Sequence, residues 1–297
     1  MKYFIVDAFT DRLFGGNPAG VVILPEGEDF PSEELMLKTA AELRYSETAF
    51  IKILGDDTFS IRYFTPAEEV DLCGHATIAS FYVLLKEGIV EAGKTYTNIT
   101  LAGEIKVLVN EDSILMDMAE PKIYGEIPYG EETETLHRIM GIETVGQGFY
   151  SGDVDVYLSP KKVYTGIPDI IMPVADEREL EKIAPDFDAL TAFSKKHEVA
   201  GVHAFTLNSK DGKIHARNFC PLLDIDEEAA TGTSNGALAY YLYDYEILEP
   251  GVIVEVIQGE KMGRTSKISG QVVLEEGVPI VKVGGSAAIL AKGEINI

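Results

Sequence analysis

Polar and apolar residues along the first 118 positions fall into short runs that alternate or gather β-branched and aromatic side chains. Tyr3 to Phe9, Ala19 to Leu24, Thr48 to Ile53, Phe59 to Phe64, Ile105 to Val109 and Ile114 to Met118 each read as strands. Between them, Pro31 and Ser32 followed by Glu33 and Glu34 open a helix that runs to about Leu43, with acids in the first turn where the helix dipole favours them. A second apolar stretch with helical spacing starts near Gly74 or His75 and ends at about Gly88. The segment MAEPKIYGEIPYGEETE, Met118 to Glu134, breaks the pattern with Pro, Gly and acidic residues, as a domain linker does. Strands and two or three helices are expected beyond it.

The pattern contains a repeat. Arg62-Tyr63-Phe64-Thr65-Pro66 precedes DLCGHATIAS, and Arg217-Asn218-Phe219-Cys220-Pro221 precedes EEAATGTSNG, so both read R-x-F-x-P. A shift of 158 residues then superposes Gly74 on Gly232, Ala79 on Ala237, Tyr82 on Tyr240 and Leu84 on Leu242, and IVEAG (Ile89 to Gly93) on ILEPG (Ile247 to Gly251). LAGE, Leu101 to Glu104, answers IQGE, Ile257 to Glu260. Three coincidences in one order argue for duplication. Two similar halves are expected, each with a prominent helix opening at a small-residue turn. If the two openings converge on one cleft, they form a carboxylate site that needs no excess of Lys or Arg.

Length and charge narrow the function. At 297 residues the chain suits two domains. Its N-terminal apolar run is interrupted by Asp7 and Asp11, which fits neither a signal peptide nor a membrane span and points to the cytoplasm. A net charge of −24 opposes nucleic acid and anionic membrane as partners. An anionic substrate would then be met by helix N-termini or by arginines such as Arg62 and Arg217. Cys73 and Cys220 are far apart and offer no disulfide framework. The five histidines form no H-E-x-x-H or similar spacing, so no metal site is expected.

Several motifs could carry chemistry. GTSNG, Gly232 to Gly236, matches the G-x-S-x-G nucleophile elbow, but acidic residues stand where the preceding strand belongs and no histidine follows Ser234. GGNPAG (Gly15 to Gly20) lacks a phosphate-loop ending, and VGQGFYSG (Val145 to Gly152) lacks a Rossmann context, so no nucleotide cofactor is indicated. Cys73, beside a helix start, is either a thiolate of depressed pKa or a small residue buried at a tight turn. Its repeat partner is Thr231, which rules out a symmetrical pair of thiols. His75 is either structural or, kept neutral by the helix start, a hydrogen-bonding group. Glu47, in YSETAF, reads by itself as a solvated turn residue.

Taken together, DAFTDRLFGGNPAGVV, SETAF, FTPAEEVDLCGHATIAS, YTGIPDIIMPV, HARNFCPLLDIDEEAATGTSNGALA, QGEKMGRTSKI and VKVGGSAAILAKGEI resemble the phenazine-biosynthesis PhzF-like family, relatives of diaminopimelate epimerase, over essentially the whole chain. The resemblance implies an α+β fold of two pseudo-symmetric domains, each a barrel-like sheet around a central helix, with the site in the cleft between them and no cofactor. It places residues 1–118 with 285–297 in one domain and 125–284 in the other. The activity implied is a cofactor-independent isomerase that shifts a proton on a small carboxylate-bearing metabolite; the alternatives are an amino-acid epimerase that uses Cys73, or a metabolite-binding protein without turnover. Glu47 is implied as the proton-moving group, with a pKa raised toward neutrality by burial. His75 and Glu228 complete the implied catalytic set. Thr233, Thr231, Asn17 and the amides of Gly74, His75, Ala76 and Thr77 and of Gly232, Thr233 and Ser234 are implied to hold the substrate. The family's usual D-P-A-T-G-S is here Glu228-Ala229-Ala230-Thr231-Gly232-Thr233, which changes carboxylate reach and adds a methyl beside the hydroxyl. A symmetric homodimer is the expected assembly.

Overall fold

The computed structural model of the chain describes residues 1–142, 148–151 and 154–297, so part of VGQGFYSG lies outside the described residues. The fold is mixed α and β, dominated by sheet. The chain divides into two compact units, Met1–Asp117 with Gly284–Ile297, and Met118–Val283.

The first unit runs β1 (Lys2–Ala8), β2 (Asn17–Ile23), α1 (Glu33–Leu43), β3 (Glu47–Gly55), β4 (Thr58–Phe64), β5 (Glu69–Val70), α2 (Gly74–Lys86), β6 (Lys94–Thr100), β7 (Gly103–Val109) and β8 (Ile114–Asp117). β1 pairs antiparallel with β2, β2 parallel with β3, and β3 antiparallel with β4. The short β5 folds back on β4, β6 runs parallel to β4, and β7 and β8 follow antiparallel. The terminal strand Ala287–Glu294 closes on the other edge of β1.

In the second unit, β9 (Lys122–Glu126), α3 (Glu131–Ile139), β10 (Gly148–Ser151) and β11 (Val154–Tyr157) precede β12 (Lys161–Tyr164), β13 (Pro168–Pro173), α4 (Glu177–Lys182), α5 (Phe187–His197), β14 (Gly201–Thr206) and β15 (Ile214–Cys220). Then come β16 (Ile225–Glu228), α6 (Gly232–Asp244), β17 (Ile253–Gln258), β18 (Ser266–Glu275) and β19 (Val278–Gly285). The pairings run in the same order as in the first unit: β12 antiparallel to β13, β13 parallel to β14, β14 antiparallel to β15, β16 folded on β15, β17 parallel to β15 and β18 antiparallel to β17. β9 stands beside β12 as the terminal strand stands beside β1. The repeat read in the sequence is therefore a repeat of topology.

The R-x-F-x-P motif has a structural task in both units. Arg62 on β4 grips Glu69 of β5 with Nε at 2.6 Å, and Arg217 on β15 grips Glu227 of β16 through two bonds of 2.8 Å. Such bidentate pairs fix the short return strand that leads into each helix. Neither arginine is left to meet a substrate, contrary to the sequence expectation. The segment read as a linker begins at the boundary between the units, but it is not irregular throughout: KIYGE pairs as β9 and Glu131 opens α3. Its alternating side chains carry a strand signal that the flanking prolines and glycines conceal.

α2 and α6 are buried almost all round, from His75 to Leu84 and from Gly232 to Leu242, which requires their mostly small and apolar composition. Around α2, Phe59 meets Phe81 and Tyr96 edge-on with ring centroids 5.5 and 5.9 Å apart, and Phe81 and Tyr96 lie tilted at 6.3 Å. Each such pair adds about 0.5–1.5 kcal/mol beyond burial of area.

Candidate active site

The register of the first unit decides what can meet at its strand ends. Ala19 on β2 faces Glu47 on the parallel β3, so Asn17 and Glu47 begin neighbouring strands at the same end. Gly16, just before β2, makes this possible: its φ is +60°, and a Cβ there would stand 1.9 Å from the Ala8 carbonyl oxygen. α2 packs against β1, β2 and β3 and brings His75, its second residue, to the same place.

His75 is 5% exposed and lies at the centre of the cluster. Its Nε2 is 3.1 Å from Glu47 Oε2 and 3.3 Å from Ser46 Oγ; its Nδ1 is 3.3 Å from Asn17 Nδ2 and 3.4 Å from Cys73 Sγ. Burial pushes the Glu47 carboxyl up, but the charge of His75 and the polar groups of His75, Ser46 and Cys73 close around it overcome this and leave the group below its ordinary value. Burial pushes the His75 imidazole down, and Cys73 and Glu47 overcome that, raising it well above the usual histidine value. Burial, with the Glu47 charge beside it, pushes the Cys73 thiol up to about 11. With Cys73 a thiol at neutral pH, the counter-charge of His75 is Glu47.

These directions correct three expectations. Glu47 is not raised toward neutrality, His75 is not kept neutral by the helix start, and Cys73 is not a thiolate. For Glu47 the neighbouring His75 outweighs burial; for His75 close neighbours, and for Cys73 burial, outweigh the helix dipole, which contributes on the order of 1 kcal/mol. An imidazolium donates at both nitrogens, which requires the Asn17 amide to turn its oxygen toward the ring. Glu47 Oε2, close as it is to Nε2, makes no aligned hydrogen bond. That oxygen keeps its capacity to accept a proton.

The start of α2 adds donors. Its N-cap, Cys73, makes no strong side-chain capping bond, so the amides of Gly74 and His75 retain their donors and that of Ala76 meets only the weak acceptor Cys73 Sγ. Thr77 does not belong with them: its N–H donates to the Cys73 carbonyl at 3.0 Å, and its hydroxyl engages that same carbonyl and the Tyr63 hydroxyl. A helix of this length has begun its own ladder by the fourth residue.

The second unit repeats the device. α6 starts after Thr231 without a side-chain cap, and Asn235 Nδ2 donates back to the Thr231 carbonyl as Thr77 does to Cys73. Asn235 N–H also reaches that carbonyl, which leaves the amides of Gly232, Thr233 and Ser234 as the donors outside the helix ladder. Glu228 Oε2 accepts from the Thr231 hydroxyl at 2.6 Å. The Ser234 side chain is fully buried and donates to Asp169, while Asn218 Nδ2 donates to it at 2.9 Å. Its amide alone remains for a ligand, and the nucleophile-elbow reading has no support. The Thr165 hydroxyl donates to the Thr233 carbonyl at 2.8 Å.

Sequence reading missed the residues that set this turn. Gln258 donates to the Glu228 carbonyl at 2.7 Å and to the Thr231 hydroxyl at 3.1 Å, and accepts from Asn235 at 2.7 Å. Asp169, whose carboxyl is pushed up to about 6 by burial, anchors Ser234. Gln258 stands in the QGE part of the repeat opposite apolar Ala102, and only its hydrogen bonds from the end of β17 to the start of α6 reveal it.

Glu47, Cys73 and His75 place their donor atoms within 4.8 Å of one another, close enough for a cation. One carboxylate, one imidazolium and one neutral thiol already balance in charge, so the cluster gives a metal no electrostatic preference. If the thiol is only a neighbour, Cys73→Ala should keep activity within about tenfold. A loss on the order of a thousandfold in a folded variant would make Cys73 a base.

Residues 6–293 match the family model described as phenazine biosynthesis-like protein. The chain belongs to this PhzC–PhzF family. An uncharacterised isomerase of Clostridium acetobutylicum is 33% identical, with 98% of this chain and 96% of that protein covered. The uncharacterised isomerase YddE of Escherichia coli K12 is 34% identical, with 99% and 97% covered. Among solved structures, a PhzF-family phenazine biosynthesis protein of Bacillus anthracis matches with a TM-score of 0.84 at 27% identity, covering 100% of this chain and 99% of that one.

Proposed function

We propose that this PhzF-like protein is an isomerase that moves a proton on carbon in a small carboxylate-bearing metabolite, using its own side chains and no cofactor. The observation that carries the reading is the half-buried Glu47 carboxylate, held ionised beside His75 with its buried Oε2 lacking an aligned donor. Relatives that span the chain and bear the name isomerase support the same class. The duplicated topology supports a fold of the diaminopimelate epimerase type for each unit.

In this mechanism Glu47 takes a proton from a carbon next to a carbonyl or carboxyl group. The electron pair of the broken C–H bond passes into that group, and the amides of Gly74, His75 and Ala76 with the His75 cation hold the charge that develops. Glu47, now a carboxylic acid, returns the proton to the same or another carbon, so atoms and charge balance without an oxidant. Glu228, Thr231, Thr233 and the amides of Gly232, Thr233 and Ser234 are assigned to recognition of the substrate's charged group, with Asn17 steadying His75.

Incubation with a panel of small hydroxy, amino and unsaturated carboxylates in deuterated buffer tests the reading. Deuterium entering a carbon position, with double-bond migration or inversion, supports it. Saturable binding of a panel member without exchange would make the protein a binding module instead.

A further inference from the structure

The second unit gathers a separate set of side chains around His215, the second residue of β15. The residue is 7% exposed. Its Nε2 lies 3.0 Å from Asp211 Oδ1, in the turn before the strand, and 3.6 Å from Glu177 Oε1, at the first residue of α4. Its Nδ1 lies 2.7 Å from Glu260 Oε2. The donor atoms of Glu177, Asp211 and His215 all fall within 4.8 Å of one another, and a cavity of about 260 Å³ lined by Glu177, His215 and Glu260 opens beside them.

The charge here does not balance. Three carboxylates face one imidazole, so even a doubly protonated ring leaves an excess of two negative charges. Lys210 comes only to 3.9 Å of Glu177, Lys261 shares the cavity wall with Glu181, and Arg217 there is spent on Glu227 and on the carbonyls of Leu180 and Ile183, so the acids still outnumber the cations around the imidazole. We propose that Glu177, Asp211 and His215 Nε2 bind a divalent first-row cation of the zinc or manganese type, with Glu260 orienting the imidazole.

Geometry supports this assignment. Ligand atoms at about 2.1 Å from a tetrahedral ion stand roughly 3.3–3.4 Å apart, and the two separations at Nε2, 3.0 and 3.6 Å, bracket that value. Nδ1–H donating to Glu260 leaves the Nε2 lone pair turned toward the two other carboxylates, the arrangement in which a carboxylate sets the tautomer of a metal-binding histidine. Asp211 Oδ1 is itself fixed by Ser209 Oγ and the Lys213 amide, each at 3.0 Å. One imidazole and two carboxylates suit zinc or manganese, whereas magnesium prefers oxygen alone. The ion would tie α4, the turn before β15 and the segment after β17 to one another. Sequence spacing alone does not show this, because Asp211 and His215 lie four residues apart on a turn and the strand after it, and Glu177 comes from α4, far off in the chain.

The test is calorimetric titration of the EDTA-treated, dialysed full chain with zinc chloride, alongside cobalt(II) absorption. One equivalent should bind with a dissociation constant on the order of micromolar or tighter, and cobalt should show no thiolate charge-transfer band. Glu177→Gln and Asp211→Asn, both isosteric and checked for folding by circular dichroism, should each weaken binding at least about tenfold. Glu260→Gln should weaken it by about 10- to 100-fold through the imidazole alone. Absence of saturable binding would overturn the proposal. So would zinc binding that survives Glu177→Gln and Asp211→Asn but is lost in Cys73→Ala, since that ion would sit at the Glu47 cluster.

Discussion

Glu47→Gln is expected to lower proton exchange and turnover by about 10²–10⁴-fold while ligand binding survives. Glutamine keeps the size of the side chain and can still meet His75 and Ser46, but it offers no group that takes a proton from carbon. Glu47→Asp should retain partial activity, because the carboxylate persists a methylene short of its position. Exchange in deuterated buffer and calorimetric binding, measured on the same preparations, separate chemistry from affinity. A Gln variant that exchanges as fast as the parent would transfer the role of base to Glu228 or another group.

His75→Gln should cost on the order of 10²-fold at neutral pH, the usual size of a lost charge stabiliser, and should also move the pH profile. In the parent protein, activity should rise on an acid limb below the ordinary carboxylate range and fall on an alkaline limb above the ordinary histidine value. Without the cation, burial is the largest influence left on Glu47 and pushes its carboxyl upward, so the acid limb should shift to higher pH and the alkaline limb should vanish. A variant whose acid limb stays in place would show that His75 does not hold Glu47 ionised.

The same two groups bear on stability. A depressed Glu47 contributes stability that is present above its unfolded-state pKa and lost as pH falls through the folded value. A raised His75 contributes stability that is full below its unfolded-state value, near 6.5, and lost as pH rises through the folded one. Thermal unfolding across pH should therefore show losses at both extremes that are smaller in the His75→Gln variant.

Much of the layout was legible because two short-range signals survive in the chain. Alternation marks β1 to β4, β7 and β8, and the R-x-F-x-P repeat marks the point where each unit turns into its buried helix. The resemblance, rather than any pattern, brought out Glu47, since a glutamate in a polar turn carries no signal of its own until β2 and β3 pair in parallel and α2 delivers His75 to it. β6, KTYTNIT, went unread because its polar threonines and asparagine mask a strand whose alternate residues Tyr96 and Asn98 are buried.

Ionisation states were the least legible feature. They depend on distances of a few ångströms: a helix-start histidine is expected neutral by the dipole, but Cys73 and a carboxylate 3.1 Å away push it well above its ordinary value against burial. The arginines failed for a related reason. Arg62 and Arg217 are the obvious anion receptors in an acidic chain, yet glutamates seven and ten residues on claim them once β5 and β16 fold back.

The ionisation of the Glu47–His75 pair is open to direct measurement without a substrate. Nitrogen-15 NMR of the His75 ring, assigned by comparison with His75→Gln, reports its protonation as pH is raised from 5 to 9, a window set about the ordinary histidine value of roughly 6.5. The expected result is an imidazolium that persists through neutral pH and loses its proton well above that value, with Glu47 ionised throughout. A neutral His75 at pH 7, with Glu47 titrating near neutrality, would contradict the ion pair on which the proposed proton transfer rests.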